Sequence, residues 1–174
     1  MTAPQLAVGT PEIGVPGQIP SLRGLQDATI NTALNEEASA GMPFGIFVRE
    51  GAADEGALLL SATSQRLKGV VVHHNSYARP YEVDTDGIQP GTHFGLLFHG
   101  PILVTVEDAV TPASEVHVRA VATGGEQKGA VRGTADSTDC IDASGFCRFL
   151  TTAGAGELAV LMVDMVNSGL QAAD

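Results

Sequence analysis

The side chains of this chain that could bind a metal or carry out acid–base and nucleophilic chemistry are few, and their spacing is unhelpful to both. His73, His74, His93 and His99, with Cys140 and Cys147, are the candidate zinc ligands. His93 and His99 share a parity, but six residues of uninterrupted strand would hold them about 20 Å apart, too far for one ion. His73 and His74 are neighbours pointing to opposite faces, and Cys-x6-Cys lacks the tight spacing of a zinc knuckle. Calcium has a partial match. Glu82-Val83-Asp84-Thr85-Asp86-Gly87 supplies oxygen donors at loop positions 1, 3 and 5 and the glycine at 6. Position 12, normally a bidentate Glu, is His93, and Pro90 occupies position 9. A turn around Asp86-Gly87, a pair tolerant of positive φ, accounts for the segment better. No metal or cofactor is expected.

Nucleophile signatures are also missing: there is no G-x-S-x-G elbow, S-x-x-K, H-E-x-x-H or P-loop. The adjacent carboxylates Glu36/Glu37 and Glu107/Asp108 read as solvated surface. The expectation is a chain that is not an enzyme. The two cysteines are too few for a disulfide framework. If Asp142-Ala143-Ser144-Gly145 is a four-residue hairpin loop, Cys140 stands opposite Cys147 and a cross-strand disulfide is geometrically possible, with two buried thiols as the alternative in a reducing compartment.

Composition narrows the class. In 174 residues, hydrophobic types make up 44% and charged types only 17%, so the chain folds rather than staying disordered. Twenty Asp and Glu against nine Lys and Arg give a net charge of −11. With no basic cluster to displace counterions from phosphate, direct nucleic-acid binding is not expected. The sequence contains no apolar run of 18 residues, and its start lacks the parts of a signal peptide, so no membrane is expected and synthesis in a cytoplasm is.

The elements that would position these residues read as strands. Twenty-one glycines and nine prolines, spread between short apolar runs, favour strands joined by turns. Strands are expected at Ala28–Leu34, Phe44–Arg49, Ala57–Leu60, Leu67–His73, Tyr81–Val83, Phe94–Phe98, Ile102–Val106, Val116–Ala120, Phe146–Leu150 and Leu158–Met165. Pro90-Gly91, Gly100-Pro101, Gly124-Gly125 and Gly154-Ala155-Gly156 punctuate them. The last is apolar on both parities and should be a central strand. Strands about ten residues apart without amphipathic helices argue for an all-β sandwich or barrel. Ahead of this body, residues 1–26 carry four prolines and four glycines and cannot form a regular helix. Apolar residues still recur there, at Leu6, Val8, Ile13, Val15, Ile19, Leu22 and Leu25. The segment therefore reads as an extended arm that lies on something, with residues 27–174 as the β-rich domain.

The order of segments resembles that of the phage structural cement proteins. Pro43-Phe44-Gly45-Ile46-Phe47-Val48 is followed by a Gly-Val strand ending in His, Gly69-Val70-Val71-Val72-His73, and by the Tyr segment Tyr81-Glu82-Val83. Gly100-Pro101-Ile102-Leu103-Val104 stands where the family has Gly-x-Ile/Val-x-Val. Gly145-Phe146, Thr151-Thr152-Ala153-Gly154 and the strand Leu158–Met165 close the pattern. The likeness spans roughly residues 40–166. One departure is Pro112-Ala113-Ser114-Glu115-Val116-His117-Val118, where the family usually has a Gly-Asp-x-Val-Tyr strand. The resemblance implies an antiparallel β-sandwich or barrel-like module, β-tulip or jelly-roll-like, with an extended N-terminal arm. It also implies residence on the outer surface of a virion, binding to the major capsid protein so as to bridge neighbouring subunits. Association into a homotrimer at threefold positions is expected, with a twofold dimer as the alternative. The seven apolar arm residues are then the expected contacts. Two other readings have distinct requirements: a carbohydrate- or receptor-binding β-sandwich needs an exposed aromatic platform, and a small hydrolase needs a deep polar pocket.

Overall fold

The computed structural model describes residues 14–20, 28–73, 87–136 and 138–165. The described chain is all-β, with ten strands: β1 Thr29–Asn35, β2 Phe47–Glu50, β3 Gly56–Leu58, β4 Leu67–Val71, β5 His93–Thr105, β6 His117–Arg119, β7 Val131–Arg132, β8 Cys140–Asp142, β9 Cys147–Phe149 and β10 Leu158–Asp164. Seven form one sheet in the order β1-β3-β2-β4-β5-β10-β9, and an additional β1–β5 pairing closes the first five into a barrel. One of its joints, β1 to β3, is parallel; the other four are antiparallel. The remaining three strands make a small sheet, β7-β6-β8.

Alternation along the ring strands explains two separate cores. Ala33, Ala57, Val48, Val71, Phe94 and Leu96, drawn from all five ring strands, meet in one cluster with Met42, Ile46 and Ile88. Phe47, Val70 and Leu97, of opposite parity, join a larger cluster with Val118, Val131, Phe149 and Leu161. The barrel wall thus has an apolar filling on one face and the second sheet packed on the other. Asn35, buried with the first cluster, is satisfied by donating from Nδ2 to the Ile88 carbonyl at 2.8 Å.

β10 lies between β5 and β9 and buries side chains of both parities, as its composition requires of a central strand. Two expectations need correction. Gly100-Pro101 does not separate two strands: β5 runs through it for 13 residues, with Gly100 opposite Val163 and Pro101 opposite Met162. Proline lacks an N–H and is tolerated here because Pro101 has the parity of Leu103, whose N–H points to Gln18 and away from β10, so the ladder loses no hydrogen bond. The Cys140–Cys147 hairpin also fails. β8 pairs with β6 and β9 with β10, so the cysteines belong to different sheets and both are free. The chain turns too early for that ladder, because the Phe146 and Cys147 amides both donate to the Ala143 carbonyl.

The expected strand at Tyr81–Val83 and the first five positions of the calcium-like loop lie outside the described residues. Gly87 has φ 85°, the left-handed conformation expected of the Asp86-Gly87 turn, and Ile88 then bridges to Met42.

Candidate functional site

Residues 14–20, the described stretch of the expected arm, lie on the body itself. Gly17 donates to the Leu103 carbonyl at 2.7 Å, Leu103 donates back to Gln18 at 2.9 Å, and His73 donates to Gly17 at 2.8 Å. Gly17 is at φ 80°, and a Cβ there would sit 2.8 Å from both the His73 amide nitrogen and the Val71 carbonyl oxygen. Only glycine lets the segment approach β4 and β5 this closely. Ile19 packs half-buried on the larger core, while Val15 remains 42% exposed. Leu6, Val8, Ile13, Leu22 and Leu25 lie outside the described residues.

Beside this segment is a groove of about 760 Å³, lined by Pro16, Phe44, Thr105 and Gln127 and floored by charged side chains. Its centre is Arg119, on β6 and only 2% exposed. Nε donates to both oxygens of Glu107 at 2.8 and 2.9 Å, and Nη2 donates to Asp136 at 3.0 Å. Nη1 is 3.0 Å from Glu126 as a charge contact without hydrogen-bond geometry. Arg132 adds a bond to Asp136 at 2.9 Å and stands 3.7 Å from Asp108. Asp108 in turn accepts from the Gly133 amide at 2.6 Å and from the Thr134 hydroxyl.

These contacts fix the charge states. The Arg119 hydrogen bond, with Arg132 adding to it, holds the Asp136 carboxyl below its ordinary range. Burial alone would raise Asp108, but Gly133, Thr134 and Arg132 outweigh it and the net shift is downward. Glu107, above all, raises Arg119. Carboxylates held this firmly as anions are poor proton donors near neutral pH, and the groove lining includes no His, Cys or Ser. Burial pushes the Cys147 thiol well up and keeps it protonated. The arrangement is a structural clamp joining the small sheet to the loops above it.

Glu107 and Asp108 are therefore not the solvated surface that adjacency in sequence suggested, whereas Glu36 and Glu37 stay at the surface but are tied to backbone amides. Glu36 accepts from the Ala52 and Ala53 amides at 2.6 and 3.0 Å, and Glu37 from the Leu59 amide at 2.8 Å. The available cue for Arg119 was an arginine inside the strand Val116–Ala120, whose only other polar side chain is His117. Of the histidines, His93 is exposed on β5, next to Glu55, and His99 pairs with Asp164 at 3.1 Å. Among the described residues no three His, Cys, Asp or Glu side chains group to hold a metal.

The family profile described as structural cement protein (E217 gp24/Pam3 gp6) matches residues 5–164. The chain belongs to the phage structural cement proteins. A chain from the capsid of Myoviridae phage XM1 superposes on this cement protein with TM-score 0.64 at 16% identity, over 94% of this chain and 98% of that one. At that identity the likeness speaks for the fold. The base of the head fibre gp8.5 of bacteriophage phi29 gives TM-score 0.45 at 15% identity, covering 80% and 96% of the two chains. No curated protein sequence matches the chain.

Proposed function

We propose that this cement protein sits on the outer surface of a phage capsid, fastens neighbouring major capsid subunits to one another, and works without a cofactor and without catalysis. The family match across residues 5–164 is the observation that carries this reading. A shell under outward pressure gains from many modest contacts repeated by symmetry, since each bridged pair makes the next contact effectively intramolecular.

The arm is assigned the anchoring role. Residues 1–13 precede Gly14 and include Leu6, Val8 and Ile13 without a positively charged side chain. Fully extended, they span about 43–47 Å, enough to reach a neighbouring subunit. Val15 and Ile19 mark the root of the arm, while Leu22 and Leu25 are assigned to the second half of the same contact surface. The test is a deletion ending at Ile13, which spares the Gly17–Leu103 and His73–Gly17 bonds. The truncated protein is expected to keep its circular dichroism and melting temperature and to lose at least about tenfold in affinity for expanded shells that lack it. Unchanged shell binding by the folded truncation would remove the arm from the contact.

A further inference from the structure

Arg119 Nη1 and Arg132 Nε are buried, and neither makes a hydrogen bond among the described residues. The carboxylate that stands beside Nη1 is Glu126, 3.0 Å away, but its Oε2 accepts from the amide and hydroxyl of Thr123 instead. A buried donor without an acceptor is costly, and a ligand that brings one recovers the loss. The cluster is out of electrical balance as well. Arg119 and Arg132 face Glu107, Asp108, Glu126 and Asp136, two cations against four carboxylates, for a local charge of −2. What the groove lacks is therefore an acceptor that brings no further negative charge.

Glu126 sits on a loop that touches the body little. The loop's ends are pinned, by the Val121 amide donating to Asp139 at 3.1 Å and the Gly129 amide donating to Arg119 at 2.7 Å. Between those points residues 123–127 are exposed, and the side-chain hydrogen bonds of Thr123, Glu126 and Gln127 stay within the loop. Gly124 and Gly125, at φ 68° and 100°, have nothing within 4 Å of where a Cβ would be. Among the described residues, the charge contact from Glu126 to Arg119 is the one polar side-chain tie of this loop to the small sheet. A tie exposed at one end and without hydrogen-bond geometry is weak, so the loop can swing out and open the groove to Nη1.

We infer that this groove seats an extended segment of the capsid partner that carries a lysine or arginine: a main-chain carbonyl of the segment accepts from Arg119 Nη1, and its basic side chain pairs with Glu126 as the loop swings aside. The aliphatic stem of that side chain lies along Pro16 and Phe44, which line the groove. A carbonyl adds no charge and one cation brings the cluster from −2 to −1, whereas an acidic segment would deepen the imbalance. Charge also excludes the nearer occupants. Residues 1–13 of this chain contain no lysine or arginine, and a second copy arrives with a net charge of −11. The identity of the partner rests on the function proposed above; the chemistry of the groove does not.

The experiment compares the full-length protein with Glu126→Gln, which keeps an oxygen for Thr123 and drops the charge. On expanded shells, Glu126→Gln is expected to bind at least about fivefold more weakly at an unchanged melting temperature, and to lose most of the weakening that the wild type shows between about 0.05 and 0.5 M salt. Off the shell, the probe is the blocked tripeptide acetyl-Gly-Lys-Gly-amide. At millimolar concentration it should shift the Arg119 Nε–Hε resonance of the wild type and not that of Glu126→Gln, while acetyl-Gly-Glu-Gly-amide leaves both in place. Equal shell affinity of the two proteins, or a glutamate peptide that binds better than the lysine one, would overturn the inference and leave the capsid role standing. Shells that bind neither protein would instead remove the capsid partner, and the lysine peptide alone would then decide the groove: no shift at Arg119 overturns the site.

Discussion

Arg119 holds together three separate stretches of chain through Glu107, Glu126 and Asp136. Truncating it leaves the half-buried Glu107 carboxylate without its partner and opens a cavity, so Arg119→Ala should cost about 2–3 kcal/mol in urea unfolding, whereas replacing Arg119 and Glu107 together by Met and Leu should cost less. Lysine is a poor substitute, because one ammonium cannot reproduce the fork that holds both oxygens of Glu107. Acid tests the same contacts. Glu36, Asp108, Asp136 and Asp142 all have carboxyls lowered in the folded protein. A lowered folded value means that the native state binds fewer protons than the unfolded chain. The stability is therefore complete above the ordinary carboxylate values of 4.5 for Glu36 and 3.8 for the aspartates, and is lost as pH falls through the lowered ones. Urea midpoints should hold from pH 7 to 5 and drop below about pH 4, less steeply in Asp108→Asn and Asp136→Asn. None of this could be read from the sequence. Adjacent acids look solvated until the fold brings Arg119, Gly133 and two alanine amides to them.

At the scale of elements, local pattern located strands well and their ends poorly. The β-branched run at Leu67–Val71 and the apolar run at Leu158–Asp164 became β4 and β10 because such runs have few alternatives to burial on both faces. Gly100-Pro101 has the composition of a turn, yet here lies within β5, a distinction that depends on β10 being present to pair with it. The cysteine hairpin failed for a related reason: the sequence spacing fitted, but β8 and β9 found other partners. The docking of residues 14–20 has its own test. Gly17→Ala puts a methyl group against the His73 amide at a positive φ, so it should destabilise by more than about 1 kcal/mol. Hydrogen exchange should show faster loss of protection at Leu103 and His73, whose amides donate to this segment, than at Val160 in β10.

For the whole molecule, the all-β class and the cement family were legible because glycine and proline punctuation, and the order of several short motifs, persist where any single motif is degenerate. The closed five-stranded barrel was not, since the β1–β5 pairing that closes it joins segments some 60 residues apart with no local signal. A closed barrel with a second sheet packed on its wall and a net charge of −11 suits a protein that acts by contact. The most direct measurement is titration of the purified protein onto expanded shells built from its own phage's major capsid protein, followed by counting bound copies and heating the shells. Saturation at a fixed, symmetry-related copy number with a raised shell melting temperature is the predicted result. Absence of saturable binding, with the melting temperature unmoved, would contradict it.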